Sequence, residues 1–371
     1  MNILIFSVSI GNGHDQVAHT IRNEFLSANP NNSVKIINTI SLISPLLDKV
    51  ILDSYLNILK FYPKAWGKIY EKTNKLDPII DINDITNKLS TMWFKKPIVN
   101  FEPDIVFCTH SFPASIISNI KEKKIISCPL ITIITDYNIH SSYINDYTDY
   151  YVIPHESLSY AMEDLGVSPQ KILSFGIPIR KEFTMTMDKH TLIKKLKLEN
   201  KNTILVMGGG LGLGSINRIV KELDRKLKDV QIIAVAGRNE RLEVKLKNLD
   251  TKNHLVVYGF INNIHELLEI SDLVITKPGG VTTAEILSRE KPLIIFSPLP
   301  GQESDNAEFL INYGVAATTS DVSKIPPLIN QILHYEARIE SMRKLSAYLK
   351  KPDSAANIER FIEQRYGKIH S

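Results

Sequence analysis

The chain has 371 residues, 43 % of them hydrophobic and 23 % charged, with a net charge of +4. That composition is globular and excludes disorder, collagen and coiled coil as descriptions of the whole, and the length suits two domains. Two cysteines, Cys108 and Cys128, are too few for a disulfide framework or a four-ligand zinc site, so a reducing cytoplasm is expected.

Met1 leads straight into the apolar run Ile3 to Ile10, which does not read as a signal peptide. No stretch has the roughly 18 apolar residues a transmembrane helix needs. A net +4 gives no reason to expect nucleic acid as a partner. The charge is uneven, however. Residues 1–175 hold 15 Lys+Arg against 17 Asp+Glu, and residues 176–371 hold 29 against 23. Inside the acidic half, residues 49–75 carry six lysines and only Asp53 and Glu71.

Taken in chain order, the first half predicts strands at Asn2–Ile10, Val34–Asn38, Asp104–Cys108, Leu130–Thr135 and Tyr150–Ile153, with a helix from about Asp15 to Ala28. The second half predicts strands at Thr203–Met207, Gln231–Ala236, Leu255–Tyr258, Leu273–Thr276 and Pro292–Phe296. Helices are expected between them at Ile216–Leu227, Glu240–Leu249, Ile264–Glu269, Val281–Ser288 and Glu303–Tyr313, and at the end over Asp353–Gln364. Short apolar runs alternating with helical patterns read as βαβ units around parallel sheets. The expected organisation is an N-terminal domain over 1–178, a C-terminal domain over 179–352, and a terminal segment 353–371 packing back on the first. Ligands of such sheets bind beyond the carboxyl ends of the strands. If two such domains face each other, those loops line a cleft.

Four loops after strands carry candidate chemistry. Ser9-Ile10-Gly11-Asn12-Gly13-His14 offers a tight turn and a histidine at a helix start, where the dipole favours a neutral imidazole able to accept a proton. A turn glycine pair with a capping histidine is the plainer alternative. The third glycine of a dinucleotide fingerprint is absent, since Gln16 stands there. Asp136 and His140, four apart after another strand, suit acid–base work or hydroxyl binding, or else a turn cap and a surface histidine. His110 follows a third strand.

The run Gly208-Gly209-Gly210-Leu211-Gly212-Leu213-Gly214-Ser215 leads into a helix and suits an anion. No Gly-Lys-Ser/Thr follows, and no acid ends the next strand, which reads Ala236-Gly237-Arg238. A Walker loop is excluded and NAD is disfavoured; a diphosphate is the expected ligand, with a plain flexible loop as the alternative. The fourth loop, Thr276-Lys277-Pro278-Gly279-Gly280-Val281-Thr282-Thr283-Ala284-Glu285, adds phosphate donors and a carboxylate for a ribose diol. Gln302, Glu303 and Asn306, after the next strand, suit sugar hydroxyls.

These residues carry a resemblance. Ser9-x-Gly11-x-Gly13-His14, Asp136-x-x-x-His140, Gly176-Ile177-Pro178, Lys277-Pro278-Gly279-Gly280 through Glu285 and Pro300-Gly301-Gln302-Glu303 through Asn306 resemble the monogalactosyldiacylglycerol-synthase-like and processive diacylglycerol glucosyltransferases. These are relatives of the enzyme that adds GlcNAc to the lipid-linked peptidoglycan precursor. One departure is Asp15-Gln16-Val17-Ala18 after Gly-His, where the family commonly has small residues.

The resemblance implies an α/β GT-B fold of two doubly wound Rossmann-like domains. It implies inverting hexosyl transfer from UDP-glucose or UDP-galactose to diacylglycerol or glycosyl-diacylglycerol, in membrane glycolipid synthesis. No cofactor or essential metal is implied, in keeping with the lack of an Asp-x-Asp motif. His14 and Asp136 become the catalytic candidates. Gly13, Gly210, Gly212, Ser215, Arg238, Phe260, Lys277, Gly279, Gly280, Thr282, Thr283, Glu285, Gln302, Glu303 and Asn306 become the donor-binding ones, and His140 falls on the acceptor side.

The lysine island then has a use. Lys64, Lys68 and Lys72 fall four apart, as do Tyr62, Trp66 and Tyr70. Basic residues beside aromatics suit an anionic membrane surface, though a solvated face over a core-packing Trp66 fits the same spacing. The expected setting is cytoplasmic, peripheral to the inner face of the cell membrane. A UDP-sugar epimerase and a transferase acting on a prenyl-diphosphate-linked acceptor are the competing readings.

Overall fold

The computed structural model describes residues 1–9, 12–43, 67, 93–212 and 214–367. The lysine island, with Lys64, Trp66, Lys68, Tyr70 and Lys72, lies outside the described residues, as do Gly11 and Leu213. The chain divides into two compact units. One comprises Met1–Ile179, Leu299–Gln302 and Lys351–Ser371; the other comprises Arg180–Pro298 and Glu303–Lys350.

The first unit is built on a six-stranded parallel sheet. Its elements run β1 (Asn2–Ser7), α1 (Gly13–Ala28), β2 (Ser33–Asn38), α2 (Thr39–Ile43) and a helical stretch α3 over residues 93–101. They continue with β3 (Ile105–Cys108), α4 (Ser111–Glu122), β4 (Leu130–Ile133), β5 (Tyr150–Val152), α5 (Ser159–Asp164) and β6 (Ile172–Leu173). The order is β2-β1-β3-β4-β5-β6. β1 and β3 are near-continuous apolar runs, as strands covered on both faces must be. Leu4, Phe6, Val106 and Cys108 pack against Phe94, Ile98, Ile117 and Ile120. The chain leaves β1 first toward β2 and then returns to β3 on the other side. The switch point of the sheet therefore lies between β1 and β3, where ligands of such sheets collect.

The second unit repeats the plan. After α6 (Lys189–Lys195) come β7 (Asn202–Met207), α7 (Ile216–Lys226), β8 (Val230–Val235), α8 (Glu240–Lys247), β9 (His254–Tyr258), α9 (Ile264–Ile270) and β10 (Leu273–Thr276). Then follow α10 (Gly280–Ser288), β11 (Leu293–Phe296), α11 (Gln302–Asn312), β12 (Ala316–Thr319), α12 (Ile325–Leu333) and α13 (Glu336–Leu349). The order β12-β11-β10-β7-β8-β9 puts this switch point between β7 and β10. Isoleucine, valine and leucine from β7, β8 and β10 meet Ile219, Val220 and Leu223 of α7 in its core.

The last helix, α14 (Ser354–Tyr366), belongs to the first unit and packs on α1. The Ser354 hydroxyl donates to the Gly176 carbonyl at 2.7 Å. Gly176 has φ +96°, and a Cβ there would stand 2.2 Å from Lys351 Cβ, so only glycine lets the returning chain pass.

The strand β1 ends at Ser7 rather than Ile10, and α1 begins at Gly13, two residues before the predicted start. β6, β12, α2, α3, α4, α5, α6, α12 and α13 are not predicted from the sequence.

Candidate active site

In the first unit the loops at the switch point converge on His14. Asn12 precedes α1 without capping it through its side chain. Asp15, in the first turn, favours the positive helix end. Its carboxylate accepts hydrogen bonds from the hydroxyls of Ser7 at 2.5 Å and Ser9 at 2.7 Å. Asn38 in turn donates to Ser9 Oγ at 2.8 Å. Asp15 thus ties the ends of β1 and β2 to the helix start, which gives this departure from the family pattern a structural role.

His14 Nδ1 lies 2.7 Å from the carbonyl oxygen of Thr109, just after β3. A carbonyl only accepts, so Nδ1 carries the proton and Nε2 is left with its lone pair. Thr135 Oγ1, after β4, is 3.2 Å from the same nitrogen. The ring meets His110 edge-on, with centroids 4.7 Å apart. Burial lowers the pKa of His14 below its usual 6.5, opposed by the Asp136 charge, the Thr109 carbonyl and Asp15. The imidazole is therefore neutral at pH 7. His110 is pushed down to about 3 by burial and by His14. Asp136 is buried and accepts a hydrogen bond from the Gln302 amide, so the segment Leu299–Gln302 meets the end of β4 inside this unit.

His140 has a different job. Its Nδ1 accepts from the backbone N–H of Ser142 at 3.1 Å and caps a single turn of 3-10 helix at Ser141–Tyr143. His110 and His155 do the same for Phe112 and Ser157. Three histidines after β3, β4 and β5 thus hold their loops through one device, and His14 alone of the four presents Nε2 with Nδ1 occupied by a carbonyl.

In the second unit the glycine loop after β7 packs on the loop after β8. Gly212 has φ +59°, and a Cβ there would lie 1.9 Å from the carbonyl oxygen of Ala236. Arg238 N–H donates to the Gly210 carbonyl at 3.0 Å, and Asn239 Nδ2 to that of Gly212 at 3.2 Å. The loop is therefore held from one side while its helix end stays open. Ser215 at the start of α7 makes no side-chain cap, and neither does Gly279 at the start of α10. Both helices leave first-turn N–H groups for an anion. Topology places the two starts on either side of the β7–β10 switch point. A Cβ on Gly214 would touch Lys277 Cε at 3.7 Å, so the two loops are neighbours.

Around the second start, Lys277 Nζ is 3.3 Å from Glu303 Oε2, with little of the lysine exposed. The fully buried Asn306 donates to the Pro278 carbonyl at 3.0 Å, which fixes the turn that presents Gly279 and Gly280. Thr282 is half-buried, whereas the Thr283 hydroxyl is buried without a partner. Glu285, one turn in, is 5 % exposed, and burial pushes its carboxyl up to about 8 against the pull of the Arg180 guanidinium. Arg180 is not anticipated from the sequence. Its Nη2 donates to the Asn262 carbonyl at 3.0 Å, and its guanidinium sits 5.0 Å from the Phe183 ring. Its place just after Gly176-Ile177-Pro178 was the available signal. Arg238 lies 4.9 Å from the ring of Phe260, which is 46 % exposed.

Two parallel sheets of this kind, each with its polar loops at a switch point, define the GT-B fold. Solved structures share it. MnaA of S. aureus with UDP has a TM-score of 0.65 at 15 % identity, covering 98 % of this chain and 96 % of its own. MurG of Acinetobacter baumannii has 0.63 at 13 %, covering 98 % and 100 %. HepE of Anabaena with UDP-glucose has 0.58 at 13 %, covering 99 % of each.

Residues 14–179 match the family model of monogalactosyldiacylglycerol (MGDG) synthase, and residues 203–359 match that of the glycosyltransferase family 28 C-terminal domain. A relative from Bacillus cereus (strain AH187), named processive diacylglycerol beta-glucosyltransferase, is 28 % identical over 368 residues, 96 % of this chain and 92 % of its own length. One of the same name from Bacillus licheniformis is 29 % identical over 349 residues, 92 % and 89 %. The chain thus carries an MGDG-synthase domain followed by a glycosyltransferase family 28 C-terminal domain, and is a glycosyltransferase.

Proposed function

We propose that the enzyme transfers a hexose from a UDP-hexose to diacylglycerol or glycosyl-diacylglycerol, with inversion at the anomeric carbon. The observation that carries the chemistry is the Nδ1 contact of His14 with the Thr109 carbonyl, which reserves Nε2 for a proton. The acceptor class comes from the relatives whose names state it.

In the proposed step the acceptor hydroxyl oxygen bonds to the anomeric carbon while the bond from that carbon to the UDP oxygen breaks. The hydroxyl proton goes to Nε2 of His14, and the electron pair leaves with UDP. Asp136 stabilises the imidazolium so formed, in line with its influence on the His14 pKa. The first-turn N–H groups after Ser215 and Gly279, with Thr282 and Lys277, take up the charge on the leaving diphosphate. Glu285 receives the ribose diol, and Phe260 offers a face to the uracil. Glu303 and Gln302 contact the hexose. Asn306 and Arg238 position loops. In this reading the first unit serves the acceptor and the second the donor.

A membrane-borne acceptor needs no spanning helix, and among the described residues no helix is long and apolar enough to cross a membrane. Mass spectrometry of lipid products after incubation with diacylglycerol and mixed UDP-hexoses tests the proposal. Hexosyl-diacylglycerol is the expected product, and its absence beside intact UDP binding would refute the acceptor. The epimerase reading draws on neighbours such as a UDP-N-acetylglucosamine 2-epimerase, with a TM-score of 0.62 at 14 % identity. It predicts UDP-sugar turnover that diacylglycerol leaves unchanged.

A further inference from the structure

One stretch of backbone after β3 holds two histidine rings in opposite ways. His14 Nδ1 donates to the carbonyl of Thr109 at 2.7 Å, whereas the N–H of Phe112 donates to His110 Nδ1 at 3.0 Å. Each contact fixes a tautomer. A ring that gives its Nδ1 hydrogen to a carbonyl has a bare Nε2. A neutral ring that accepts at Nδ1 carries its hydrogen on Nε2. His110 is neutral, since burial and His14 push its pKa down to about 3. One ring therefore presents an acceptor and the other a donor.

The rings meet edge-on, with centroids 4.7 Å apart and planes at 75°. Two hydrogen bonds of about 2.8 Å, with a pair of oxygens between them, span such a gap. His110 differs in this from the other two capping histidines. His155 is fully buried and His140 is 5 % exposed, so those rings serve their own loops. His110 is only half-buried, and it is the ring that meets His14. Phe112, the residue it caps, is 36 % exposed and adds apolar surface next to the pair.

We propose that His110 binds the acceptor, its Nε2–H donating to an oxygen on the carbon adjacent to the one that bears the reacting hydroxyl. The two histidines then receive a vicinal pair of oxygens. One belongs to the hydroxyl whose proton goes to His14 Nε2, and the other only accepts. This rests on the acceptor class proposed above. In 1,2-diacylglycerol the second oxygen is the ester oxygen on carbon 2. In glycosyl-diacylglycerol every sugar hydroxyl has an oxygen on a neighbouring carbon. Both acceptors share the pattern, so one pair of rings serves either, whereas a plain long-chain alcohol offers half of it.

The test compares short-chain 1,2-diacylglycerol with an analogue in which CH2 replaces the ester oxygen on carbon 2. For the parent protein, kcat/KM should favour diacylglycerol by about three- to tenfold, the worth of one neutral hydrogen bond. His110→Asn keeps the cap, because the asparagine oxygen accepts the same N–H, but its shorter amide does not reach the Nε2 position. The preference should narrow toward one, through a higher KM for diacylglycerol, at an unchanged melting temperature. Equal losses with both acceptors would show that His110 only holds His14 or its loop, and would overturn the proposal. So would a preference absent from the parent or fully kept in the variant. Nitrogen-15 histidine spectra of the parent with UDP give an independent reading. The Nε2–H signal of His110 should move on addition of diacylglycerol and stay with the analogue; a signal that moves with neither overturns the proposal. Transfer to diacylglycerol without these effects removes only the role of His110. A moving signal without transfer removes only the reaction.

Discussion

The Nδ1 atom of His14 and the carbonyl oxygen of Thr109, 2.7 Å apart, decide which face of the imidazole is available for chemistry. If Nε2 is the base, His14→Ala should lower kcat by about 10²–10⁴-fold and leave UDP affinity within twofold, about the resolution of a titration. The pH profile has a definite sign. Only the neutral ring accepts a proton, and burial lowers the pKa of His14 below 6.5. Activity should be at its plateau at pH 7 and fall on the acid side with an apparent pKa under 6.5. An alanine variant with full turnover but weak UDP binding would move His14 to the donor site.

Glu285 carries an opposite pH signature. Its carboxyl ionises near 4.5 in the unfolded chain and near 8 in the folded protein. The folded state therefore binds the proton more tightly. This stabilisation is fully present below 4.5, declines as pH rises toward about 8, and is absent above it. Glu285→Gln cannot ionise, so it should be more stable than the parent at pH 9 by a few kcal/mol, on the order of the shift itself. A ribose diol donates to a carboxylate better than to a carboxylic acid, so UDP affinity of the parent should rise from pH 7 to pH 9. The glutamine variant should lose both the affinity and its pH dependence. Arg180→Met, which removes the opposing positive charge, should move the midpoint of the parent profile upward. Calorimetric titration of UDP at several pH values, beside thermal melts, measures all of these.

Most of the architecture was legible because a covered parallel strand must be an apolar run. Ile204-Leu205-Val206 and Leu293-Ile294-Ile295-Phe296 announce themselves in this way. β12 does not, since Ala316-Ala317-Thr318-Thr319 lies at the sheet edge and buries little. α12 is not predicted either, and its Pro326 and Pro327 sit in the first turn, where proline loses no hydrogen bond. At the site, spacing drew attention to His140 but did not reveal its occupation. A histidine whose Nδ1 takes the N–H two residues on is a cap, and that depends on a ψ near 135° that residue identity does not fix. Arg180 was missed for a related reason, because its relation to Glu285 joins positions over a hundred residues apart.

Ser297 follows β11 with φ +49°, a left-handed conformation costly for serine, and Pro298 comes next. Such strain at a loop that leads to Gln302 and Glu303 suggests that geometry is maintained there at the expense of stability. Ser297→Gly should raise stability by about 1 kcal/mol if the loop keeps its shape in the variant. Because glycine also frees the loop, UDP-hexose affinity should fall more than UDP affinity. A melt and two titrations distinguish this from a neutral surface substitution.

Gly212 tests the donor loop itself. Its φ of +59° already disfavours any side chain, and a Cβ would meet the Ala236 carbonyl oxygen at 1.9 Å. That atom belongs to the backbone between β8 and Gly237, so it cannot swing away as a flexible side chain would. Gly212→Ala must push the glycine loop off the β8 loop, breaking the bonds from Arg238 N–H to Gly210 and from Asn239 to Gly212. The expected cost is about 2–4 kcal/mol of stability, with UDP affinity reduced at least tenfold because the first turn of α7 shifts with the loop. Gly209→Ala is the comparison. It shares a positive φ, at +67°, but a Cβ there meets nothing within 4 Å. It should cost only the conformational penalty of about 1–2 kcal/mol and largely spare UDP binding. Equal losses in the two variants would mean that flexibility, rather than the close contact between loops, sets the donor site.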